Sequence, residues 1–224
     1  MSPTQKLRKL AVFVRAPNSK EHPMQILCSD LEGVFVPEIW INVAKQTGIE
    51  ALKLTTRDIS DYDVLMKKRL SILEENGLKL SDIQAVIKKL DPLDGAVDFL
   101  DWIRSFCQII IVSDTFVEFA GPLMEKLGRP TLFCNSLIVD QNGSITDYTL
   151  RQKDGKRKVV EALKGLNYRV IAFGDSYNDI TMLKEADASF LFRPPENVLA
   201  EFPDIPATDD YNQLKAMIQG ALTE

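Results

Sequence analysis

Two carboxylates stand at the end of a short apolar run, where Asp30 and Glu32 directly precede Gly33. A carboxylate at the end of a strand can attack phosphorus and form an acyl-phosphate, provided that a metal ion and nearby cations offset the repulsion between the two anions. A second carboxylate two residues further on can protonate the leaving oxygen and later deprotonate the incoming acceptor. Acidic turns are common, so the pair predicts phosphoryl chemistry only if other groups of the right kind accompany it.

A second pair of acids follows another apolar run, in the segment GDSYND at 174–179. Asp175 ends the run and could complete an oxygen-rich, octahedral Mg²⁺ site with Asp30 and a backbone carbonyl of the first loop. We therefore expect Mg²⁺ as the cofactor, with Asp30, Glu32, Asp175 and Asp179 as candidate ligands. The ordinary alternative for this segment is a helix N-cap with an acid in the first turn of the helix.

A hydroxyl and a lysine could supply the groups that grip a phosphate. Ser113 ends a third apolar run and is followed by Asp114, so the hydroxyl and the N–H groups of the next helix could bind phosphate oxygens. The segment RQKDGKRK at 151–158 contains five cations in eight residues. Lys156 begins a helical pattern there and is the candidate catalytic lysine, although the sequence does not separate it from Lys153. The alternatives are a serine that only caps a helix and a solvated basic face.

The composition excludes several other classes of protein. The formal net charge of −5 is the wrong sign for a chain that binds nucleic acid by neutralising phosphates. Hydrophobic residues make up 45% of the chain and charged residues 26%, and no apolar run is long enough to cross a bilayer. We expect a soluble protein with a small-molecule substrate and no nucleic-acid or membrane partner. Whether it is a monomer or a dimer stays open.

The histidine and cysteine content narrows the possible chemistry. The one histidine, His22, lies in a polar stretch, which argues against Ser-His-Asp and Cys-His catalysis and against multi-histidine metal sites. Cys28, Cys107 and Cys134 lie in separate apolar stretches, which indicates buried thiols rather than a zinc site or a disulfide framework. These features favour a reducing, cytoplasmic location, and leave carboxylates, lysine and a metal to do the chemistry.

Strand-like and helical segments alternate along the chain, as in α/β proteins. Nearly continuous apolar runs at 24–30, 108–114 and 168–175 are typical of strands buried on both faces of a parallel sheet. Helical periodicity is present at 95–106 and from Lys156 onwards. Because ligands bind outside the carboxyl ends of the strands where the strand order reverses, the polar side chains at the ends of the runs should converge at one edge of the sheet.

The domain organisation that we predict is a Rossmann-like parallel sheet core, formed by residues 24–37 and 93–224, with a small helical cap inserted at 38–92. The cap segment has helical patterns and no convincing strand. Residues 1–23 carry five basic residues and one acid. We predict that they form a disordered N-terminal extension, with organellar targeting as the alternative.

Two local signals predict boundaries within these regions. Ser81 and Gln84 have the spacing of a capping box and predict a helix that begins at Ser81. Asn142 and Gly143 lie between two alternating segments and predict a β-hairpin within 137–150.

The order of the candidate groups carries more information than any one of them. Asp-x-Glu, then Ser, then Lys, then Asp-x-x-x-Asp resembles the signature of the haloacid dehalogenase superfamily of phosphotransferases. The segments DLEGVFVPEIW, TTRDISDYDVLMKKRL, LRQKDGKRK and GDSYNDITML are similar to the family of bifunctional phosphoserine phosphatases and phosphoserine:homoserine phosphotransferases, from about residue 24 to the C terminus. The resemblance implies a Rossmann-like core with a helical cap, Mg²⁺ and a phosphorylated aspartate. It also implies phosphoserine as substrate and homoserine as a second acceptor.

The resemblance also implies a role for each matching residue. Those that would act on the phosphoryl group are the nucleophile Asp30, the acid–base Glu32, the phosphate-binding Ser113 and Lys156, and the metal carboxylate Asp175. Glu38 would bind the ammonium group of the substrate, and Arg69 would bind its carboxylate. Asn178 would contact the substrate nearby, as would Asp114, the neighbour of Ser113.

Arg69 has an argument of its own. It lies on the same helical stripe as Tyr62, Met66 and Leu73, an apolar face where an unpaired guanidinium would be costly. The alternative is a side chain whose charged end extends to water. Given a phosphate site, an arginine that binds a carboxylate with two hydrogen bonds is the better interpretation.

Two features depart from most of the superfamily and agree with the bifunctional branch. Glu32 replaces the usual aspartate, and Asp114-Thr115 replaces the glycines of ordinary phosphoserine phosphatases. Two other functions stay open. One is a phosphatase of the same fold for another small phosphorylated metabolite, and the other is a signalling module that resembles response-regulator receivers. The helical insertion, and the position of Asp175 after Lys156, count against the second.

Overall fold

The computed structural model describes residues 24–55, 58, 59 and 61–223. The strands of this part of the chain are β1 (Met24–Ser29), β2 (Gln108–Phe116), β3 (Thr131–Val139), β4 (Ile145–Thr149), β5 (Tyr168–Gly174), β6 (Ala188–Phe192) and β7 (Ala207–Thr208). Its α-helices are α1 (Ile39–Thr47), α2 (Tyr62–Glu75), α3 (Leu80–Ile87), α4 (Ala96–Arg104), α5 (Val117–Lys126), α6 (Gly155–Gly165), α7 (Ile180–Glu185), α8 (Glu196–Glu201) and α9 (Tyr211–Thr223). The predicted N-terminal extension, residues 1–23, lies outside the described residues.

The strands form one sheet in the order β4-β3-β2-β1-β5-β6-β7. Every neighbouring pair is parallel except β3 and β4, which form an antiparallel hairpin. The chain adds β2 and β3 on one side of β1 and then returns to add β5 on the other side, so the strand order reverses at β1. The predicted α/β class is confirmed, and the crevice where ligands bind in such sheets lies at the carboxyl end of β1.

Both faces of the sheet are covered, which explains the nearly continuous apolar runs. Leu27 and Phe173 face one large hydrophobic cluster, and their neighbours Cys28 and Ala172 face a second cluster on the other side. The alternation follows from the two-residue period of a strand. All three cysteines are free thiols: Cys28 is fully buried, and the other two are partly buried.

The segment between β1 and β2 is helical, as predicted. Helices α1, α2 and α3 contribute Val43, Met66 and Ile87 to the same continuous hydrophobic cluster that covers one face of the sheet. Within the described part of 38–92 there is no strand of the sheet. The division of the chain into a core and a separate cap stays a prediction.

Two local expectations have different outcomes. The hairpin is confirmed, since Gly143 has a φ of 81° and the carboxylate of Asp140 accepts N–H groups of Asn142 and Ser144 at 2.9 Å and 2.8 Å. The capping box at Ser81 is wrong. Helix α3 begins one residue earlier, at Leu80, because the Asp82 carboxylate accepts the N–H of Lys79 at 2.8 Å.

No helix in the described ranges is long and apolar enough to span a membrane.

Candidate active site

The polar residues at the ends of the predicted strands lie at one edge of the sheet. Asp30 follows β1 and Asp175 follows β5, its neighbour, while Ser113 lies in the next strand on the other side. Strand β2 runs on to Phe116, three residues beyond Ser113, and its pairing with β3 shifts register between Val112 and Phe116. The expectation that Ser113 ends its strand is therefore wrong, although the serine does lie at the carboxyl side.

Asp30 is only 4% exposed, and local contacts fix the orientation of its carboxylate. Its Oδ1 atom accepts the N–H of Leu31 at 2.7 Å and lies 3.0 Å from Lys156 Nζ. Its own N–H donates to the carbonyl of Phe173 on β5 at 3.2 Å. The candidate nucleophile is therefore held by the neighbouring strand β5, by the N–H of the next residue and by one cation.

Lys156, in the first turn of α6, brings a buried ammonium group into the site. Besides Asp30, its Nζ atom lies 2.7 Å from Asp179 Oδ1 and 3.7 Å from Asp114 Oδ2. Burial lowers its pKa, but Asp179 and Asp30 raise it more, so the pKa ends well above its ordinary value. Lys153 is exposed. The lysine that lies beside the candidate nucleophile is thus Lys156.

Asp179 organises the loop after β5. Its Oδ2 atom accepts the N–H groups of Asp175 and Ser176, both at 3.0 Å, while its Oδ1 atom faces Lys156. Asp179 therefore has the helix-capping role that the sequence offered as the alternative for this segment. It also forms an ion pair with Lys156. Both carboxylate oxygens of Asp179 therefore already have partners within the chain.

Three buried carboxylates, of Asp30, Asp175 and Asp179, offer oxygen atoms within 4.8 Å of one another. Lys156 is their one cationic partner among the described ion pairs. Burial, and then the charge of Asp179, raises the pKa of Asp30 well above its ordinary value and that of Asp175 to about 7. The cluster therefore carries more negative charge than its one cationic partner can offset. An all-oxygen donor set with excess negative charge fits Mg²⁺.

Asp30 and Asp175 are the members of this cluster best placed to hold Mg²⁺, since both oxygens of Asp179 are engaged. The carboxylate of Glu32, predicted as a further ligand, does not belong to the cluster. Its Oε2 atom instead accepts the N–H of Ile39, the first residue of α1, at 2.7 Å. Burial, followed by the nearby carboxylate of Glu38, raises the pKa of Glu32 to about 8. The raised pKa lets Glu32 keep a proton at a higher pH than an ordinary glutamate, as a general acid requires.

Arg69 lies on α2 with its side chain turned inward. The residue is 7% exposed, its Nη2 atom donates to the carbonyl of Leu54 at 2.8 Å, and its guanidinium lies 4.7 Å from the ring centre of Trp40. Its Nε atom is buried and has no hydrogen-bond partner among the residues that the structure describes. Burial lowers the pKa of its guanidinium, and Tyr62, Glu32 and Glu38 act in the opposite direction. A buried guanidinium with an unused donor is suited to bind an anionic group.

Asp114 and Asn178 contact each other beside Lys156. Asn178 Nδ2 donates to Asp114 Oδ2 at 3.0 Å. Ser113 is buried, and its hydroxyl oxygen accepts the N–H of Thr115 at 3.2 Å. Glu38, just before α1, is exposed. Direct contacts thus join Asp30, Asp114, Lys156, Asn178 and Asp179. The roles of Glu38 and Arg69 toward a substrate stay predictions.

Several contributors to the site were not predicted. Trp40 lies under Arg69, and Tyr62 donates its hydroxyl hydrogen to the carbonyl of Asp114 at 3.1 Å. Gly33 has a φ of 73°, and a Cβ atom there would lie 2.5 Å from the carboxyl carbon of Asp175. The glycine that follows Glu32 was a visible signal. Tyr62 was marked only as a member of the apolar stripe that includes Arg69, and nothing in the sequence marked Trp40.

Comparison with known proteins defines the class. The chain belongs to the haloacid dehalogenase-like hydrolase family, whose model matches residues 20–187. The resemblance predicted from the motifs is thereby confirmed, and a receiver-like signalling module is not supported.

Relatives within the family are closely similar. A protein of Pseudomonas aeruginosa named phosphoserine phosphatase ThrH is 62% identical over 192 residues, which cover 86% of this chain and 94% of that protein. A protein of Pseudomonas syringae pv. tomato named phosphoserine phosphatase is 60% identical over 195 residues, which cover 87% of this chain and 82% of that protein.

The fold has close counterparts among solved structures. A phospho-aspartyl intermediate analogue of phosphoserine phosphatase superposes with a TM-score of 0.72 at 24% identity, over 88% of this chain and 100% of the other. A substrate-bound phosphoserine phosphatase complex gives 0.71 at 24% identity, with the same coverage. At this level of identity the likeness establishes the fold.

Proposed function

We propose that this protein is a Mg²⁺-dependent phosphoserine phosphatase that acts through a phosphorylated Asp30 and also transfers the phosphoryl group to homoserine. The observation that carries the proposal is the contact between the Asp30 carboxylate and Lys156 Nζ, 3.0 Å long and buried, within a cluster of carboxylates. Both Pseudomonas relatives carry the name phosphoserine phosphatase, which supports the choice of substrate.

The reaction proceeds in two displacements. Asp30 forms a bond to phosphorus while the bond from phosphorus to the serine oxygen breaks, and that oxygen takes a proton from Glu32. Glu32, now a carboxylate, then takes a proton from the incoming water or homoserine hydroxyl. The incoming oxygen bonds to phosphorus and the bond to Asp30 breaks, which yields either inorganic phosphate or phosphohomoserine and restores both carboxyl groups.

Electrostatic stabilisation supplies most of the rate, since acid–base help is worth only about 10²–10⁴. Lys156 and Ser113 would hold the phosphate oxygens beside Asp30. Asp30 and Asp175 would hold Mg²⁺, which supplies charge neutralisation for the transferring phosphoryl group when bound. The remaining carboxylate of the cluster, Asp179, keeps Lys156 and the loop after β5 in position.

The amino-acid part of the substrate would lie between the helical segment and the core. The unused donor of Arg69 would bind the carboxylate, and Glu38 would bind the ammonium group. Arg69→Ala should therefore raise KM for phosphoserine far more than KM for an aryl phosphate, which has no carboxylate. Equal losses on the two substrates would remove Arg69 from the substrate site.

One assay tests the proposed function. The protein is incubated with phosphoserine and Mg²⁺, with and without homoserine, while inorganic phosphate and phosphohomoserine are measured separately. We expect phosphate in both reactions and phosphohomoserine only with homoserine. A clear preference for another small phosphate ester in a substrate panel would overturn the choice of phosphoserine, and phosphate release without phosphohomoserine would overturn the transfer.

A further inference from the structure

Asp114 joins several elements around the site through its backbone and its side chain. Its carbonyl oxygen accepts hydrogen bonds from the Tyr62 hydroxyl at 3.1 Å and from Asn135 Nδ2 at 3.2 Å. Its carboxylate accepts one from Asn178 at 3.0 Å and lies 3.7 Å from Lys156 Nζ. This residue therefore connects helix α2 to the lysine and to the loop after β5.

Tyr62 is the contact that α2 contributes. It is the first residue of that helix, it is half-buried, and its hydroxyl reaches a backbone group 52 residues further along the chain. Arg69 lies about two turns further on, on the same face of α2. A hydrogen bond thus joins the helix that carries Arg69 to strand β2, at the residue next to Ser113.

The partners of Arg69 do not themselves fix its distance from Ser113 and Lys156, so that distance depends on how α2 is attached to the core. Leu54 and Trp40, which hold the guanidinium, belong to the same helical segment as Arg69 itself. A second hydrogen bond also joins α2 to the core, from the Tyr148 hydroxyl to Asp63 Oδ1 at 2.7 Å. That bond ends on an exposed side chain of α2 and does not involve Asp114, although the Tyr148 ring packs on the rings of Tyr62 and Phe116.

We propose that Tyr62 is a positioning residue that sets the distance between Arg69 and the phosphate-binding groups, and thereby selects short phosphorylated amino acids. A substrate of this class would reach Arg69 with its carboxylate while its phosphate lies beside Ser113 and Lys156. Tyr62 itself would touch neither end of the substrate. The inference rests on the proposed function and assigns a further specificity determinant to the same site.

Tyr62→Phe removes the hydroxyl and keeps the ring. The variant should fold, because Asn135 still donates to the carbonyl of Asp114. We expect KM for phosphoserine to rise about 3- to 10-fold, the effect of one hydrogen bond, with a smaller change in kcat. KM for 4-nitrophenyl phosphate should change less, since that ester has no carboxylate for Arg69 to bind.

Two comparisons separate this role from a merely structural one. Tyr148→Phe is the matched control: it removes a hydrogen bond between the core and the same helix, and the ratio of the two KM values should stay as in the wild type. In the second comparison, Tyr62→Phe is added to Arg69→Ala. If Tyr62 acts through Arg69, the double variant should bind phosphoserine no more weakly than Arg69→Ala alone.

Additive losses in the double variant, equal losses on both substrates, or the same loss in Tyr148→Phe would each overturn the role of Tyr62 while leaving the proposed function intact. A wild-type protein that does not prefer phosphoserine to 4-nitrophenyl phosphate would overturn the proposed function, and this inference with it.

Discussion

Glu32 accepts an N–H at the start of α1 and has a raised pKa, so a substitution can remove its exchangeable proton while it keeps the hydrogen bond to Ile39. Glu32→Gln keeps an acceptor oxygen for Ile39 but cannot exchange a proton. We expect kcat for phosphoserine to fall by about 10²–10⁴. With 4-nitrophenyl phosphate, whose leaving group needs no acid, one equivalent of nitrophenol should be released rapidly before a slow steady state, as phosphorylated Asp30 accumulates.

Rapid-mixing absorbance measurements would record that first turnover. Glu74→Gln, a change at an exposed residue of α2, serves as the control and should behave as the wild type. Hydrolysis of phosphoserine by Glu32→Gln at the wild-type rate would exclude Glu32 as the acid–base.

Asp175 links the metal site to stability, because its pKa is raised from 3.8 to about 7 by burial and then by Asp179. In metal-free protein this carboxyl group binds a proton more tightly in the folded than in the unfolded state. Its contribution to the free energy of unfolding is therefore present below pH 3.8 and is lost as the pH rises to about 7. In EDTA, the Tm of the wild type should fall between about pH 5 and 8 by more than the Tm of Asp175→Asn.

Mg²⁺ should reverse this loss by binding the folded state, and at 100 times its Kd it would add about 2.7 kcal/mol. At pH 8 we expect the ion to raise the Tm of the wild type but hardly that of Asp175→Asn. Asp101→Asn, at a surface carboxylate, should respond to Mg²⁺ as the wild type does. The same Mg²⁺ response in Asp175→Asn would contradict the assignment of Asp175 as a ligand.

The sequence was sufficient to predict the site residues that come directly after a strand. Asp30 and Asp175 follow neighbouring strands, so the edge they share was predictable from the apolar runs alone. Trp40 and Tyr62 were not predictable, because their partners lie far away in sequence. Helical periodicity identifies the inward face of α2, but it does not identify what lies opposite that face.

At the scale of secondary-structure elements, the loops after β1 and β5 meet at Gly33. A Cβ atom at this position would lie 2.5 Å from the carboxyl carbon of Asp175, and the φ of 73° adds strain for any other residue. A left-handed backbone costs a residue other than glycine about 1–2 kcal/mol. Gly33→Ala should lower the free energy of unfolding by more than this amount, and it should displace Asp175. We therefore expect a lower Tm and loss of most activity.

Gly48→Ala is the matched control for that prediction. Gly48 has a similar φ of 74°, but nothing lies within 4 Å of the position of a Cβ atom. This variant should lose a comparable amount of stability from the backbone alone and keep its kcat/KM. If the two variants had equal activity, the packing of Gly33 on Asp175 would not matter to the site.

Strands and turns that have a strong local sequence pattern were predicted from the sequence. A strand that exists only through its pairing with another strand was not. The runs at β1, β2 and β5 are long and apolar because they are buried on both faces, and the turn at Asn142-Gly143 has its own chemistry. Strand β7 consists of two residues that exist as a strand only because Thr208 pairs with Phe192. No local signal distinguishes such a segment from a loop.

For the whole molecule, the order of the strands predicts which region is the most stable. Strand β1 has hydrogen-bonded neighbours on both sides and lies between two hydrophobic clusters, whereas β4 forms one border of the sheet. Backbone amides of Leu27 and Cys28 should exchange with deuterium only through global unfolding, and those of β4 should exchange sooner through local opening. Exchange of both strands at one common rate would contradict this expectation.

The central place of β1 has a consequence for Asp30. The proposed nucleophile follows directly on the strand that we expect to open least, so fraying at the borders of the sheet should leave its carboxylate in place. Fluctuations that admit and release small molecules can therefore occur in the helical segment and the hairpin without disturbing the atom on which the chemistry depends.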